Sequence, residues 1–334
     1  MKISEVRAVI QNHSPEQLRV IITQLYKAMP KAVKEEQDID GILRDPGILA
    51  KAKPGRQPAA RPDLGLLSDE ADEFMEDAYA QNYCAPNRFI SKGDRPKWRF
   101  TVKRLYKDIL LAADETNVSE AAQLLEKLYH LLCYSCENML FNAYDPFQSV
   151  GIEQAEFFRR VLALKYQSED KNTFINDALV SMLNEPLNRY TLYETRMRVI
   201  LEFLKTADLK EMMVVKCDEL IETIKREPTP KREDYSALYK REGKLNNLAT
   251  MGFLCYARLS EYEKAISYFK ANNCEDDPEI ALYVLLWLLF SLNQKDYFLR
   301  EYEKAVKNAI TPREALRKMY NSTKEKGELP AYFG

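Results

Sequence analysis

The clearest set of side chains that could bind a metal ion is His130-x-x-Cys133-x-x-Cys136. Residues three apart are neighbours on a helix surface, and imidazole and thiolate are ligands that zinc prefers. A zinc site also needs a fourth ligand, which can be a water. Among the side chains, Cys84 or a carboxylate could supply it. The surrounding segment is apolar, and cysteine is readily buried. Core packing is therefore the favoured interpretation, with metal binding and redox chemistry as alternatives.

Motifs for catalysis are missing from the sequence. No two glycines lie closer than six positions apart, so neither a dinucleotide-binding turn nor a phosphate-binding loop of the usual spacing is present. Only His13 and His130 could act as a histidine base near neutral pH. We predict no catalytic residue and no cofactor. Catalysis by carboxylate, tyrosine or lysine stays open, so an enzyme of unrecognised family is one alternative.

The strongest charge feature is a basic segment at 88–107, which follows an acidic helix start at 69–77. It holds eight positive charges and one aspartate in twenty residues, and Trp98 and Phe100 lie among them. Basic side chains interleaved with aromatic rings are what phosphate contacts and base stacking need. The candidate binding patch comprises Arg88, Lys92, Arg95, Lys97, Trp98, Arg99, Lys103, Arg104 and Lys107.

Other interpretations of the basic segment carry more weight. In one, the acidic and basic segments pair with each other; in another, the charges form an ordinary solvated face while Trp98 anchors the core. A surface for a protein partner and a nucleic-acid interface are the alternatives. On the helix beginning near Trp98, we expect Val102, Leu105, Ile109 and Ala113 to face inward and Arg99, Lys103 and Lys107 to lie outside.

The elements that position these residues are predicted to be helices. Glycine is scarce, at ten in 334 residues, and long stretches such as 97–145 and 187–227 lack both Gly and Pro. Apolar residues recur three and four apart, which predicts an all-α fold with about a dozen helices. Ser14-Pro15-Glu16-Gln17 is a helix start with a capping box, and Thr311-Pro312-Arg313-Glu314 repeats the signal.

Two breaks divide the chain. The stretch 44–64 holds four prolines and several Lys and Arg residues, which predicts a flexible basic linker after a small helical hairpin at 1–43. A shorter break at 227–231 either separates two halves of the body or joins two helices. We therefore predict a helical body at 65–228 and a repeat-like region at 229–334.

The segment 248–278 resembles a tetratricopeptide-type helical hairpin. The matching features are Tyr256, a turn at 260–262, Ala265, Phe269 and Pro278. The following segment extends the resemblance loosely to residue 309. Two departures are Phe253 and Asn272, which stand where the family usually has small residues. The resemblance implies helical hairpins stacked as an irregular array, whose concave surface binds a peptide or protein.

Global features limit the choice of partner. The net charge is −2, so nothing in the overall charge favours nucleic acid or an anionic membrane. The longest apolar run, 280–290, is too short to span a bilayer and is expected to be a buried core helix. With no secretion signal, we expect a cytoplasmic protein with reduced cysteines. The predicted function is a non-catalytic interaction scaffold with a protein or peptide partner and unknown oligomeric state; the alternative is a nucleic-acid-binding accessory protein.

Overall fold

The computed structural model describes residues 6, 9–36, 39–45, 61–231 and 233–333. The chain splits into two compact units, Met1–Arg61 and Pro62–Gly334. The described residues form sixteen α-helices and no strand, which confirms the all-α prediction. Most of the predicted linker, at 46–60, lies outside the described residues.

The first unit contains α1 (Pro15–Ala28), α2 (Lys31–Glu36) and α3 (Ile39–Arg44). The predicted capping box is confirmed at the start of α1. The Ser14 hydroxyl accepts from the backbone N–H of Gln17 at 3.3 Å, and the Gln17 side chain accepts from the Ser14 N–H at 2.8 Å. The hydroxyl of Tyr26 donates to Asp40 at 2.6 Å, which connects α1 to α3.

The second unit contains the other thirteen helices. In chain order they are α4 (Leu64–Tyr79), α5 (Trp98–Ala112), α6 (Val118–Glu137), α7 (Pro146–Val150), α8 (Gln154–Ser168), α9 (Lys171–Asn184), α10 (Tyr193–Phe203), α11 (Ala207–Arg226), α12 (Tyr235–Arg258), α13 (Tyr262–Asn272), α14 (Pro278–Ser291), α15 (Lys295–Lys307) and α16 (Glu314–Lys326).

These helices pack mostly on near neighbours in the chain. Helices α4, α5 and α6 pack on one another, and α6 packs on α8. The chain of contacts continues from α8 to α9 and α10, then to α11 and α12. Val102, Leu105 and Ile109 on α5 are buried as predicted, whereas Ala113 is only half-buried, and the apolar faces of α6 and α8 are buried as well. One continuous core therefore runs through the unit.

The break at 227–231 joins two helices that pack on each other, α11 and α12. Arg241 on α12 donates from its guanidinium to the carbonyl of Ile224 at 2.8 Å and to the hydroxyl of Thr229 at 3.2 Å. The side chain thus caps the carbonyl end of α11, where helix groups lack internal partners.

Two helical hairpins, α12–α13 and α14–α15, share one geometry at an offset of 33 residues. Their turns place Ser260 and Asn293 in the left-handed region, at φ 64° and 55°. In each turn the next residue donates back to the helix, Glu261 to Tyr256 and Gln294 to Leu289. Such bonds satisfy carbonyls that the helix end leaves free. The first helix of each hairpin therefore ends in the same kind of turn.

The apolar run in α14 is only partly enclosed. Its leucines Leu282, Leu285, Leu286, Leu288 and Leu289 are buried, whereas Ile280 is exposed. The ring of Phe333 near the chain end packs against Tyr283 and Phe290. No helix in the described ranges is long and apolar enough to cross a bilayer.

The predicted start of the last helix is wrong. Helix α16 begins at Glu314, its N-cap is Arg313, and Thr311 makes no capping bond. The reason is a contact from another helix, because Glu279 on α14 accepts from the Arg313 backbone N–H at 3.0 Å and from its guanidinium. This ion pair fixes the backbone where the cap would otherwise form.

Candidate binding sites

Trp98 is a core residue. It is the first residue of α5, directly after a short 3₁₀ helix at Arg95–Lys97. Its indole is buried and stacks on Phe141, with ring centroids 4.0 Å apart and planes 13° apart. Trp98 is therefore not available to stack on a base, as the core-anchor interpretation predicts, whereas Phe89 and Phe100 of the basic segment are exposed.

Part of the basic segment is neutralised within the fold. The Arg104 guanidinium bonds Glu70 on the acidic helix α4, and it also reaches Asp108 at 3.4 Å. Lys97 pairs with Asp94 at 2.7 Å. The predicted pairing of the acidic and basic segments thus occurs at Arg104, whereas Arg88 and Lys107 are exposed and have no ion pair within the described residues.

The structure gathers a second group of these residues around a cavity of about 270 Å³, here called the basic cavity. Lys92, Arg95, Trp98 and Arg99 line it, with Lys103 one turn beyond Arg99 on α5. The remaining lining side chains come from the loop after α4, from the loop after α6 and from α7: Tyr83, Cys84, Pro96, Asn142, Ala143 and Ser149.

The three residues of the His130–Cys133–Cys136 group contact different neighbours. His130 contacts two carboxylates, Glu185 through Nδ1 and Glu126 at 3.7 Å through Nε2. Cys133 is buried and its sulfur lies 3.2 Å from the side-chain nitrogen of Gln154, whereas Cys136 donates to the Leu132 carbonyl. Across the described part of the chain, no group of three His, Cys, Asp or Glu residues has a geometry that would hold a metal ion.

The environment sets the protonation of these groups. Burial alone would lower the pKa of His130, but hydrogen bonds to Glu126 and Glu185 raise it to about 9, so the imidazole is positively charged at neutral pH. Burial raises the pKa of the Cys133 thiol to about 12 and that of Cys136 well above its ordinary range. Neutral thiols are poor nucleophiles and poor metal ligands.

A groove that the sequence did not predict lies between the ends of α6, α9 and α10 and the first half of α12. Its volume is about 470 Å³. We call it the tyrosine groove, because Tyr193 and Tyr239 line opposite elements of it. Its other lining residues are Glu137, Leu183, Asn184, Glu185, Pro186, Lys240, Gly243, Lys244, Asn246 and Asn247.

The two sides of the tyrosine groove carry opposite charges. Glu137 and Glu185 lie on the side of α6 and α9, whereas Lys240 and Lys244 lie on α12. The amides of Asn184 and Asn247 have no hydrogen-bond partner within the residues that the structure describes, whereas the Asn246 side chain accepts from the Cys274 N–H at 2.7 Å. The groove therefore offers aromatic, amide and charged groups to a ligand.

The tyrosine groove left a weak signal in the sequence. Tyr235, Tyr239 and Gly243 recur at intervals of four, so they share one face of α12. Both tyrosines are 78% exposed. Aromatic residues at this spacing normally predict a core-facing stripe, and the sequence alone does not show that this end of α12 extends beyond the core. The partners on α9 and α10 are distant in the sequence.

Comparisons with protein-family models, with curated proteins and with solved structures find no match to this chain. The tetratricopeptide resemblance of residues 248–309 stays a prediction. Function is accordingly argued from the two sites.

Proposed function

We propose that this chain is a non-catalytic scaffold for protein–protein interaction whose tyrosine groove binds an extended peptide segment of a partner. The observation that carries the proposal is Tyr239, which is 78% exposed and stands beside a groove of about 470 Å³. Tyrosine is enriched at protein interfaces, because its ring buries a large area with few rotatable bonds while its hydroxyl still bonds water or partner.

The polar groups of the tyrosine groove suit a peptide backbone. A side-chain amide donates and accepts, so it can pair with both the N–H and the C=O of one peptide unit. Asn184 and Asn247 offer such amides from α9 and α12. Glu137 on one side and the ammonium groups of Lys240 and Lys244 on the other favour a partner that carries both charges, whereas Glu185 is already bonded to His130.

The hairpin architecture supports the scaffold part of the proposal. The turns at Ser260 and Asn293 repeat after 33 residues, close to the repeat length of tetratricopeptide hairpins. Ala265 and Phe269 are buried between packed helices, as the resemblance implies. Stacked hairpins form long surfaces that commonly bind segments of other proteins.

The alternatives have less support. The nucleic-acid-binding function loses Trp98, which is stacked on Phe141 in the core, and Arg104, which is paired with Glu70, although Phe100 stays exposed. Enzyme chemistry at the His130–Cys133–Cys136 group would need a free base or a thiolate. His130 is instead held between two carboxylates, and burial raises the pKa of both thiols.

The test is a selection from a random peptide library displayed on phage, with the full chain as bait. Peptides that the wild type enriches are then synthesised, and their affinities are measured by fluorescence anisotropy. We expect Tyr239→Ala to weaken the peptide affinities about tenfold or more, because a central interface tyrosine contributes on the order of 2 kcal/mol to the binding free energy.

Tyr332→Ala is the matched control, since this tyrosine is also strongly exposed but lies after α16 and does not line the groove. It should leave the affinity unchanged. If no peptide is enriched, or if both variants bind the selected peptides as the wild type does, the tyrosine groove is not the binding site.

A further inference from the structure

We propose that the basic cavity is a second ligand site, which binds the phosphate or pyrophosphate group of a small molecule. The site is separate from the tyrosine groove, and the two cavities have no lining residue in common. It therefore adds a ligand class to the proposed scaffold function and does not depend on it.

The cations of the basic cavity are available to a ligand. Lys92 and Arg99 form no ion pair with any residue that the structure describes, and Arg95 uses only its Nε, which donates to the Ile90 carbonyl at 3.3 Å. Three positive side chains line the cavity and no carboxylate does, so the charge of the lining favours an anion.

The nearest carboxylates along the chain are already bonded. Asp94 accepts from Lys97 at 2.7 Å and from the Ser91 hydroxyl at 2.6 Å. Asp145 caps α7 by accepting from the Gln148 N–H at 2.8 Å. Neither lines the basic cavity. Neutralisation of the cavity by Asp94 would require these bonds to break, whereas Asp145 is buried and keeps one carboxylate oxygen without a hydrogen-bond partner among the described residues.

Neutral donors complete the cavity. Asn142 is exposed and its amide has no partner in the described ranges, so two N–H donors are free. The pKa of Tyr83 is raised to about 12, chiefly by burial and then by Asp77 and Glu73, so its hydroxyl stays a donor at neutral pH. Arginine forks and neutral donors together match the several acceptor oxygens of a phosphate group.

The volume of the basic cavity and the charges that line it limit the class of ligand that it can bind. At about 270 Å³ the cavity lies below the usual range for drug-sized ligands. Three cations exceed what a single carboxylate would neutralise, whereas phosphate and pyrophosphate carry two or more negative charges near neutral pH. A nucleic-acid strand would extend beyond the cavity along α5, to the exposed Phe100 and Lys107, so the response of Lys107→Ala distinguishes it from a small phosphate ligand.

The test is calorimetric titration of the full chain with inorganic phosphate and, separately, with pyrophosphate at constant ionic strength. We expect saturable binding that Arg99→Ala weakens about tenfold, because charge-assisted hydrogen bonds are lost. Arg99→Lys should retain part of the affinity. Tighter binding of pyrophosphate than of phosphate would assign a diphosphate ligand, and equal binding a monophosphate.

Lys107→Ala is the matched control, because it removes the same charge from the same helix two turns away. It should leave the affinity for both anions within about twofold. The proposal is overturned if neither anion binds saturably, or if Lys107→Ala weakens binding as much as Arg99→Ala does. The proposal is also overturned, in favour of a nucleic-acid interface, if a single-stranded oligonucleotide displaces pyrophosphate and both variants weaken its binding equally. Thermal unfolding of each variant confirms that all compared chains are folded.

Discussion

The ring of Tyr268 on α13 lies directly against Gly252 on α12, where a larger residue has no room. From there the Tyr268 hydroxyl donates to Asp218 on α11 at 2.8 Å. One side chain thus connects three consecutive helices, and it can do so only because position 252 has no Cβ. The resemblance of this hairpin to tetratricopeptide repeats places the expected small residue one position later, at Phe253.

Substitution of Gly252 should therefore destabilise the second unit. A methyl group there overlaps the Tyr268 ring, so Gly252→Ala is expected to lower the free energy of unfolding by about 1–3 kcal/mol, as overpacked sites do. Gly243→Ala on the same helix is the control, since nothing lies within 4 Å of its added Cβ. It should stabilise the chain by about 0.5–1 kcal/mol, because alanine favours helices. Urea unfolding checks both values, and equal effects would contradict this packing.

The second prediction concerns Lys165, whose side chain is only 7% exposed. Its ammonium bonds Glu126 and Asp177 at 2.9 Å each and pairs with Glu169 at 3.2 Å. Burial alone would lower the pKa of Lys165, but these carboxylates raise it above its ordinary value. Lys165→Met removes the positive charge that these carboxylates contact. We therefore expect the free energy of unfolding, measured with urea, to fall by about 3–5 kcal/mol.

Lys127→Met is the surface comparison for that experiment. Lys127 pairs with Asp72 at 3.1 Å, but both side chains are about half exposed. Exposed pairs contribute about 0–1 kcal/mol, so this variant should unfold nearly as the wild type does. A loss at Lys165 no larger than that at Lys127 would show that the buried pairing does not stabilise the fold.

The third prediction is a pH dependence of stability that belongs to His130. Its folded-state pKa of about 9 lies above the unfolded value near 6.5. The stabilisation from the charged imidazole is therefore fully present below the unfolded pKa and is lost as the pH rises through the folded pKa. The difference in unfolding free energy between wild type and His130→Gln should be largest near about pH 6 and should shrink by about pH 10.

Glu185→Gln supplies the control for His130, because it removes the carboxylate that Nδ1 contacts. In the Glu185→Gln variant, the change in unfolding free energy caused by His130→Gln should depend less on pH. Since the imidazole is partly exposed, added salt should also reduce the effect. A wild-type advantage that stays constant across this pH range would mean that His130 does not carry the charge assigned to it.

Local sequence patterns predicted local structure well. The capping box at Ser14 and the buried face of α5 at Val102, Leu105 and Ile109 depend on residues close in the sequence, which local patterns encode directly. The start of α16 was mispredicted because Glu279, 34 residues earlier, fixes Arg313. Local signals do not report contacts between distant segments.

The dependence on contacts between distant segments also explains why the two sites were predicted only in part or not at all. Lys92, Arg95 and Arg99 were predicted as part of one patch because they are close in sequence, but which cations remain unpaired depends on Glu70 and Asp94. The tyrosine groove was missed because Asn184, Tyr193 and Tyr239 come from three helices. Each tyrosine or asparagine alone is an ordinary surface residue.

The most direct test of the interaction function is to find where a selected peptide binds. A photo-crosslinking phenylalanine derivative at Tyr239 keeps an aromatic ring in the tyrosine groove, and the same derivative at Tyr332 provides a control that is also strongly exposed. After irradiation with a library-selected peptide, mass spectrometry identifies the adduct. We predict efficient crosslinking from position 239 and none above background from position 332. Equal crosslinking from both positions, or crosslinking from 332 alone, would contradict the assignment of this groove as the peptide site.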